Sequence, residues 1–298
     1  MSLAEGPPGL PYPKLPLWDT ISLSYSTYFS NFLDALRTSW LWLVVVAALT
    51  GVASWQQWSW MATAMANMKP GQPPQIPKST EMAVLLNLDN ILLLLAGVSI
   101  AVAWHRLLIL NEHPGFSGSN LATRNLWRYI VVGLALCLIM FLPVAAVMLP
   151  TFYFLLPATA GRAPPPPGFF PLMLLVFVVY AVFFAVALRL TLLLPAQAIG
   201  DTSLTFKRTW NRTRRNIWRL FWGIVFTTMP PLLIVQIIFL FGIGPPHPGI
   251  AGGEDFVTRM TVTSTIFVIY YLLIVPIGIG FLSHAYRHFF QAPLEPAG

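Results

Sequence analysis

Six stretches of this chain are apolar over about 20 residues each, and none has a run of charges in its interior. A hydrocarbon core of about 30 Å is crossed by roughly 20 helical residues, so each stretch is long enough to span it. Only 9% of the residues are charged and 56% are apolar, too few polar side chains to cover a water-soluble domain of this size. We therefore predict membrane spans at 40–60, 87–108, 129–155, 169–192, 220–243 and 260–283.

The predicted fold class is all-α, a polytopic bundle of six transmembrane helices. A segment in lipid must satisfy its own backbone N–H and C=O groups, which a helix does. No stretch shows the ten-residue alternation that is typical of membrane strands. We expect a single membrane domain at 18–290, with a flexible segment at 1–17 before it and a tail at 291–298 after it.

The six spans form three hairpins that share one plan. Each has a basic, Trp-bearing entry, a proline-rich turn and an arginine exit, and the hairpins lie at about 37–106, 124–189 and 214–287. The best-matched entries are TRNLWR at 123–128 and TRRNIWR at 213–219. A threefold internal repeat explains this pattern, and so does the general preference of membrane boundaries for Arg and Trp.

The distribution of positive charge predicts the orientation. Of the 17 Lys and Arg residues, only Lys69, Lys78, Arg162 and Arg259 lie on the side of the proline-rich turns. Cytoplasmic loops retain positive charge during insertion. We therefore expect both termini and the basic loops in the cytoplasm, and the proline-rich turns outside.

Two segments ahead of predicted spans are expected to lie on the cytoplasmic surface as amphipathic helices. In the first, at 18–36, apolar residues recur at helical spacing from Trp18 to Leu36. In the second, at 201–217, Phe206 and Trp210 share one face and basic side chains occupy the others. Each basic side chain near an anionic lipid surface contributes about 1 kcal/mol, so this segment is expected to rest on anionic lipid.

Nine side chains at the helix entries are expected to contact lipid headgroups. Trp prefers the headgroup level, and Arg reaches lipid phosphates. These residues are Arg124, Trp127, Arg128, Trp210, Arg212, Arg214, Arg215, Trp218 and Arg219. The expected partners are membrane lipids, anionic on the cytoplasmic face, and a membrane-protein partner stays open. Nucleic acid is not expected, because the aromatic residues suit an interface and the segment is tethered at both ends.

Polar residues inside the spans are candidates for a ligand or transport site, because in lipid they usually face a bundle interior or a cavity. Asp89, with Asn87 and Asn90 beside it, could bind a cation, pair with a basic partner, or stay hydrated at the outer interface. Gln236 could serve a ligand or hydrogen-bond to another helix.

Prolines interrupt several spans, and Pro230 with Pro231 is the most concentrated break. Proline frees backbone groups that must find other partners, and such breaks often mark a central transport site. The alternative is a structural kink that neighbouring helices satisfy.

The sequence contains no motif that predicts catalysis, and we predict no catalytic residue, metal or cofactor. It has no phosphate-binding glycine loop, dinucleotide fingerprint or zinc-protease motif. His105, His113, His284 and His288 fall on the predicted cytoplasmic side. A metal site that joins them with Glu112 is the alternative to interfacial histidines without a ligand.

Short motifs in the connectors carry a family resemblance. They are LPA at 194–196, Asp201, Trp210, the run at 213–219 and the entry at 25–32. In these residues the chain resembles a broad, largely uncharacterised group of bacterial six-helix membrane proteins, related to the membrane domain attached to some glycerophosphodiester phosphodiesterases. The resemblance implies a bacterial inner-membrane protein with cytoplasmic amphipathic connectors. It concerns the membrane domain only, so it implies no phosphodiesterase activity and no catalytic residue.

Three classes of function follow from these features. The first is a non-enzymatic membrane protein that interacts with lipid or assists another membrane complex. The second is a small-solute or lipid transporter, in which Asp89→Asn or Pro230→Ala should impair activity. The third is a lipid-modifying enzyme, in which His284→Ala should do so.

Overall fold

The computed structural model describes residues 14–67, 80–115, 118–159, 169–242 and 254–291, without the side chains of 150–159, 169–170, 238–242 and 254. All regular secondary structure within these ranges is helical, so the all-α fold is confirmed. The α-helices are α1 Leu17–Ser30, α2 Phe32–Ala66, α3 Thr80–Leu110, α4 Arg124–Thr159, α5 Phe169–Leu190, α6 Leu193–Ile199, α7 Phe206–Arg212, α8 Ile217–Gly242 and α9 Glu254–Tyr286, and a short π-helix covers Arg287–Gln291.

Six of these helices, α2, α3, α4, α5, α8 and α9, are long and apolar enough to cross a membrane. The chain is therefore a multi-pass integral membrane protein, as predicted. Most of these helices extend beyond the predicted spans, as α2 begins at Phe32 rather than at residue 40, whereas α5 ends at Leu190, two residues short of its predicted end. A hydropathy pattern locates the part of a helix in the hydrocarbon, whereas the backbone hydrogen bonds continue into the interface. Most of 1–17 and of 291–298, and the proline-rich turns, lie outside the described residues.

Helix α9 is the centre of the bundle, since it packs against α1, α2, α3 and α8. Within its membrane segment 33% of the residues are buried inside the protein, compared with 6% for α4. Helices α4 and α5 pack chiefly on each other, and α6 joins α4 to α3. Most of the α4 surface therefore faces lipid.

Helices α1, α6 and α7, with residues 14–16, 200–205 and 213–216, form a set of connectors that we call the connector layer. It lies where α3 and α9 end and where α4 and α8 begin. Arg106 near the end of α3 and Asn125 at the start of α4 both donate to the carbonyl of Ala198, each over 3.3 Å. The backbone N–H of Leu15 donates to Asn216 Oδ1, just before α8, over 2.9 Å. The asparagines of the two best-matched entries thus both hold connector backbone.

The two predicted surface helices are shorter than expected. The first ends at Ser30, and Asn31 separates it from α2. Its Ile21, Ser24 and Tyr28 are buried against the bundle, so α1 is docked on one side. The second ends at Arg212, because the chain turns before α8 and Arg215 adopts a left-handed conformation with φ of 69°.

Candidate lipid-contacting layer and polar cleft

Arg189, at the end of α5, fixes the position of α7. Its guanidinium donates to the carbonyl of Trp210 and, over 3.2 Å, to Thr213 Oγ1. The same group lies 3.6 Å from the centre of the Trp210 ring, which stacks in turn on Phe206. A guanidinium that donates hydrogen bonds and also stacks on an aromatic ring holds that ring in a defined orientation. Trp210 is therefore part of the internal packing of the layer as well as of its surface.

The structure divides the nine predicted headgroup residues into two groups. Arg212 and Arg219 turn inward and donate to the backbone carbonyls of Phe289 and Leu15, and Trp210 is packed as above. Exposed side chains form the second group: Trp127 is 55% exposed and Trp218 71%. Arg124, Arg214 and Arg215 are also exposed, and Arg128 is half-buried. One group of basic residues thus holds the layer together, while the other faces its surroundings.

Asp201 joins the connector between α6 and α7 to the end of α9. Its carboxylate accepts hydrogen bonds from the Tyr286 hydroxyl over 2.6 Å and from the Ser203 N–H over 2.9 Å. Burial opposes ionisation of this carboxyl, but the hydrogen bonds from Tyr286 and Ser203 and the positive charge of Arg208 outweigh it. The pKa of Asp201 is therefore held below its ordinary value.

We expect this carboxyl to make stability depend on pH. Because its folded pKa is depressed, the stabilisation is fully present above the ordinary aspartate pKa of about 3.9 and is lost as pH falls through the folded value. Thermal unfolding of Asp201→Asn and the parent protein, followed from neutral pH to about pH 3, should show a difference that shrinks with acidification. A difference that is constant across this range would contradict the assignment.

A polar cleft of about 350 Å³ opens beside the connector layer, between α2, α3, the loop residues 111–115 and 118–123, and the start of α4. Its lining includes Arg106, Arg124, Asn120, Glu112 and His113. Glu112 forms an ion pair with Arg106 over 2.6 Å. The loop reaches well along α3, because Asn120 exchanges two hydrogen bonds of 2.7 Å with Ser99.

The candidates for a transport site do not converge. The Asp89 carboxylate on α3 accepts a hydrogen bond of 2.7 Å from Thr50 on α2, and Asn90 donates to the carbonyl of Leu86 within its own helix. Gln236 and Pro230 lie on α8 with exposed side chains. Helices α3 and α8 are not among the packed helix pairs. Asp89 and Gln236 therefore belong to separate surroundings.

Tyrosine hydroxyls donate to backbone carbonyls near two of the interior prolines, which the sequence patterns did not reveal. Pro230 leaves the carbonyl four residues earlier, on Phe226, without its usual N–H donor. The Tyr25 hydroxyl donates to that carbonyl over 2.8 Å. Near Pro276, the Tyr28 hydroxyl donates to the carbonyl of Leu273 over 2.9 Å. Both tyrosines lie on α1. Tyr25 supplies the donor that the Phe226 carbonyl lacks, whereas Leu273 lies three residues before Pro276 and is not the carbonyl that this proline frees.

A double-mutant cycle tests this pairing. Tyr25→Phe is expected to destabilise the protein by about 1–3 kcal/mol, because it leaves the Phe226 carbonyl without a donor. In a Pro230→Ala background, the new backbone N–H can donate to the same carbonyl, so Tyr25→Phe should cost clearly less. Thermal unfolding in detergent measures both effects, with Tyr180→Phe, whose ring lies at the lipid-facing surface, as the control. Equal costs of Tyr25→Phe in the two backgrounds would contradict the pairing.

The four histidines of the enzyme alternative lie in separate contacts. His105 is buried, with Nδ1 2.7 Å from Ser283 Oγ. His284 Nε2 lies 3.4 Å from Thr27 Oγ1, and His113 Nδ1 lies 3.3 Å from Asp34. His288 falls in the π-helix after α9, so its spacing from His284 is not that of a regular α-helix. In the part of the chain that the structure describes, no three His, Cys, Asp or Glu side chains are grouped to hold a metal ion.

Comparison with protein-family models, with curated proteins and with solved structures finds no match to this chain. The family resemblance that the connector motifs suggest therefore stays a prediction. Function has to be argued from the connector layer and the polar cleft themselves.

Proposed function

We propose that this chain is a non-catalytic protein of the bacterial inner membrane that binds anionic phospholipid through its connector layer and so organises lipid around itself or a partner complex. The observation that carries the proposal is the division of the basic residues. Arg189 and Arg219 fix the layer from within, whereas Arg214 and Arg215 are exposed beside the exposed Trp218. These internal hydrogen bonds hold the exposed basic side chains in fixed positions, which a flexible loop would not do.

The exposed basic side chains of the layer should attract anionic lipid collectively, because their individual contributions add. Each exposed basic side chain near an anionic leaflet contributes about 1 kcal/mol. Lys207, Arg214 and Arg215 are exposed, so together they support a preference of about 2–3 kcal/mol for anionic over neutral lipid. Exposed aromatic rings of Phe206 and Trp218 add affinity for the headgroup region. Because the layer is held by hydrogen bonds, these side chains act from fixed positions.

The tyrosine contacts at the prolines support the same proposal over a transporter. The carbonyl that Pro230 frees already has a donor in Tyr25, so this carbonyl needs no solute or ion as a partner. Asp89 likewise has a partner in Thr50.

Lipid retention tests the proposed function. The protein is reconstituted with equal amounts of phosphatidylglycerol and phosphatidylcholine, extracted, and its retained lipids are counted by native mass spectrometry. We expect the parent to prefer phosphatidylglycerol, and Lys207→Gln/Arg214→Gln/Arg215→Gln to reduce the preference about 30- to 150-fold. Lys69→Gln/Lys78→Gln/Arg259→Gln is the matched control, because it removes the same charge from the predicted outer side. Equal losses in both triple variants, or no preference in the parent, would contradict the proposal.

The proposal also requires the layer and both termini to face the cytoplasm. The chain has one cysteine, Cys137, so a Cys137→Ser background allows single reporter cysteines. In intact cells, a membrane-impermeant maleimide should leave Lys207→Cys unlabelled and label Lys78→Cys; permeabilisation should expose the first. The reverse pattern would place the layer on the outer side and would exclude a cytoplasmic role.

A further inference from the structure

We propose that the polar cleft between α2, α3 and the start of α4 binds a phosphate ester, with Arg124 and Arg106 as its cationic contacts. A phospholipid headgroup or a soluble phosphate ester could supply the group. The lipid source rests on the proposed function and gives the layer a specific site; the soluble source does not depend on it.

The cleft has the size and rigidity of a small-molecule site. Its volume of about 350 Å³ lies within the range of roughly 300–1,000 Å³ that is usual for such sites. Asn120 is fixed by its two hydrogen bonds of 2.7 Å with Ser99, which hold the loop against α3. Asn120 and the loop around it are thus positioned before any ligand binds, which lowers the entropic cost of binding.

The charges in the cleft favour an anion that can accept several hydrogen bonds. Arg106 uses Nε and Nη2 to grip one carboxylate oxygen of Glu112, over 2.8 and 2.6 Å. Carboxylates and phosphates are recognised by the same planar arginine fork. Among the described residues, no carboxylate lies within ion-pair distance of Arg124. Glu112 therefore neutralises Arg106, one of the two cationic groups of the cleft, whereas Arg124 has no carboxylate partner among the described residues.

The Glu112 carboxylate should compete with a bound phosphate for Arg106. A phosphate that enters can take the place of the Glu112 carboxylate on Arg106 while it contacts Arg124. Arg106 does not depend on Glu112 alone for its position, since Nη1 also donates to the Ala198 carbonyl. Removing the negative charge of Glu112 should consequently strengthen phosphate binding rather than disorder Arg106.

The aromatic residues around the cleft place it near the phosphates of a bilayer. Trp127 follows Arg124 by three residues and is 55% exposed. Trp40, which is 42% exposed, follows the cleft residue Thr38 on α2. Exposed Trp side chains concentrate at the headgroup level of membrane proteins. The cleft therefore lies at a depth where a lipid phosphate can reach it without leaving the interface.

Paired arginine variants of the full-length protein test the site. In the phosphatidylglycerol and phosphatidylcholine mixture, Arg124→Gln should lower phosphatidylglycerol retention about tenfold, because a charge-assisted contact is lost. Arg128→Gln removes the same charge one turn further along α4, outside the cleft, and should lower retention less than about fivefold, the effect of one charge near the leaflet. Arg124→Lys should restore part of the retention, and Glu112→Gln should raise it. Thermal unfolding checks that each variant is folded.

Competition identifies the source of the phosphate. Glycerol 1-phosphate and inorganic phosphate are added to the detergent-solubilised protein, with glycerol as the uncharged control. Displacement of retained phosphatidylglycerol, or saturable binding that Arg124→Gln abolishes, assigns the site to soluble phosphate esters. Retention that only lipid supports assigns it to headgroups, and either result upholds a phosphate site.

Three results would overturn the inference: equal losses in Arg124→Gln and Arg128→Gln, no change in Arg124→Gln, or weaker retention in Glu112→Gln. If the parent still prefers phosphatidylglycerol in those cases, the cleft assignment is wrong while the proposed function stands. If the parent has no preference and glycerol 1-phosphate still binds through Arg124, the proposed function fails and the cleft stands.

Discussion

Gly223→Ala is expected to destabilise the protein by about 1–3 kcal/mol, although it adds a single methyl group. A Cβ built at Gly223 on α8 would lie 1.8 Å from the end of the Phe281 ring on α9. Phe281 is fully buried in the core beneath the connector layer. Because the ring is enclosed by the core, either it leaves its rotamer or α8 moves away from α9.

Thermal unfolding in detergent measures this effect, and the chain offers a matched control. A Cβ at Gly97, in α3, meets no atom within 4 Å, so Gly97→Ala should be neutral or stabilising by up to about 1 kcal/mol. Phe281→Leu in the Gly223→Ala background should recover part of the loss, because a shorter side chain makes room for the methyl group. Equal stability of the two alanine variants would show that α8 and α9 do not approach each other this closely.

Asn216→Ala is expected to cost about 1–3 kcal/mol and to release the N-terminal connector. The Asn216 side chain is 1% exposed, and its Oδ1 accepts the backbone N–H of the fully buried Leu15. Alanine leaves this N–H without a partner in the core, and an unpaired buried donor costs more than the hydrogen bond contributes. The loss should appear locally, because Leu15 lies two residues before the start of α1 at Leu17.

Amide hydrogen exchange of residues 15–30 measures that release. We expect faster exchange there in Asn216→Ala, together with a lower midpoint of thermal unfolding. Asn211→Ala is the control, since Asn211 is an exposed residue at the surface of α7 in the same layer. Unchanged exchange at 15–30 in Asn216→Ala would mean that the Leu15 contact does not hold the N-terminal connector.

The sequence predicted those features of the fold that depend on hydrophobic length. Each of the six predicted spans corresponds to a long helix, although α5 ends at Leu190, two residues before the predicted end of its span. About 20 apolar residues in lipid have few alternatives to a helix. The ends of the helices are harder to predict from sequence, as the boundary between α1 and α2 at Asn31 shows. The amphipathic spacing there continues across the break, so periodicity alone does not locate it.

The connector layer shows why much of the site could not be predicted. Trp218 and Arg214 are exposed as expected, whereas Arg219 donates inward to Leu15. All three are ordinary boundary residues in the sequence, and which one turns inward depends on a contact about 200 positions away in the chain. The sequence pattern places Tyr25 on an amphipathic face, whereas its hydrogen bond to the carbonyl freed by Pro230 depends on packing between positions 201 residues apart.

The polar cleft was not predicted at all. Arg124 was expected at the headgroups, but the loop at 111–123 gave no periodic signal that would place Asn120 beside Ser99. A partial signal existed in the proline rule: the carbonyl four residues before an interior proline needs a new donor, and a search for hydroxyls on neighbouring helices would have pointed to tyrosines.

The most direct test of the lipid-contacting layer is amide hydrogen exchange of the full-length protein in nanodiscs of phosphatidylglycerol and of phosphatidylcholine. We expect α7 and the turn at 213–216 to exchange more slowly in phosphatidylglycerol, because Lys207, Arg214 and Arg215 face the anionic headgroups. Residues 255–262, on the predicted opposite side, should exchange equally in both lipids. Salt should reduce the difference. The same exchange rates for α7 in the two lipids would contradict a lipid-binding role for the connector layer.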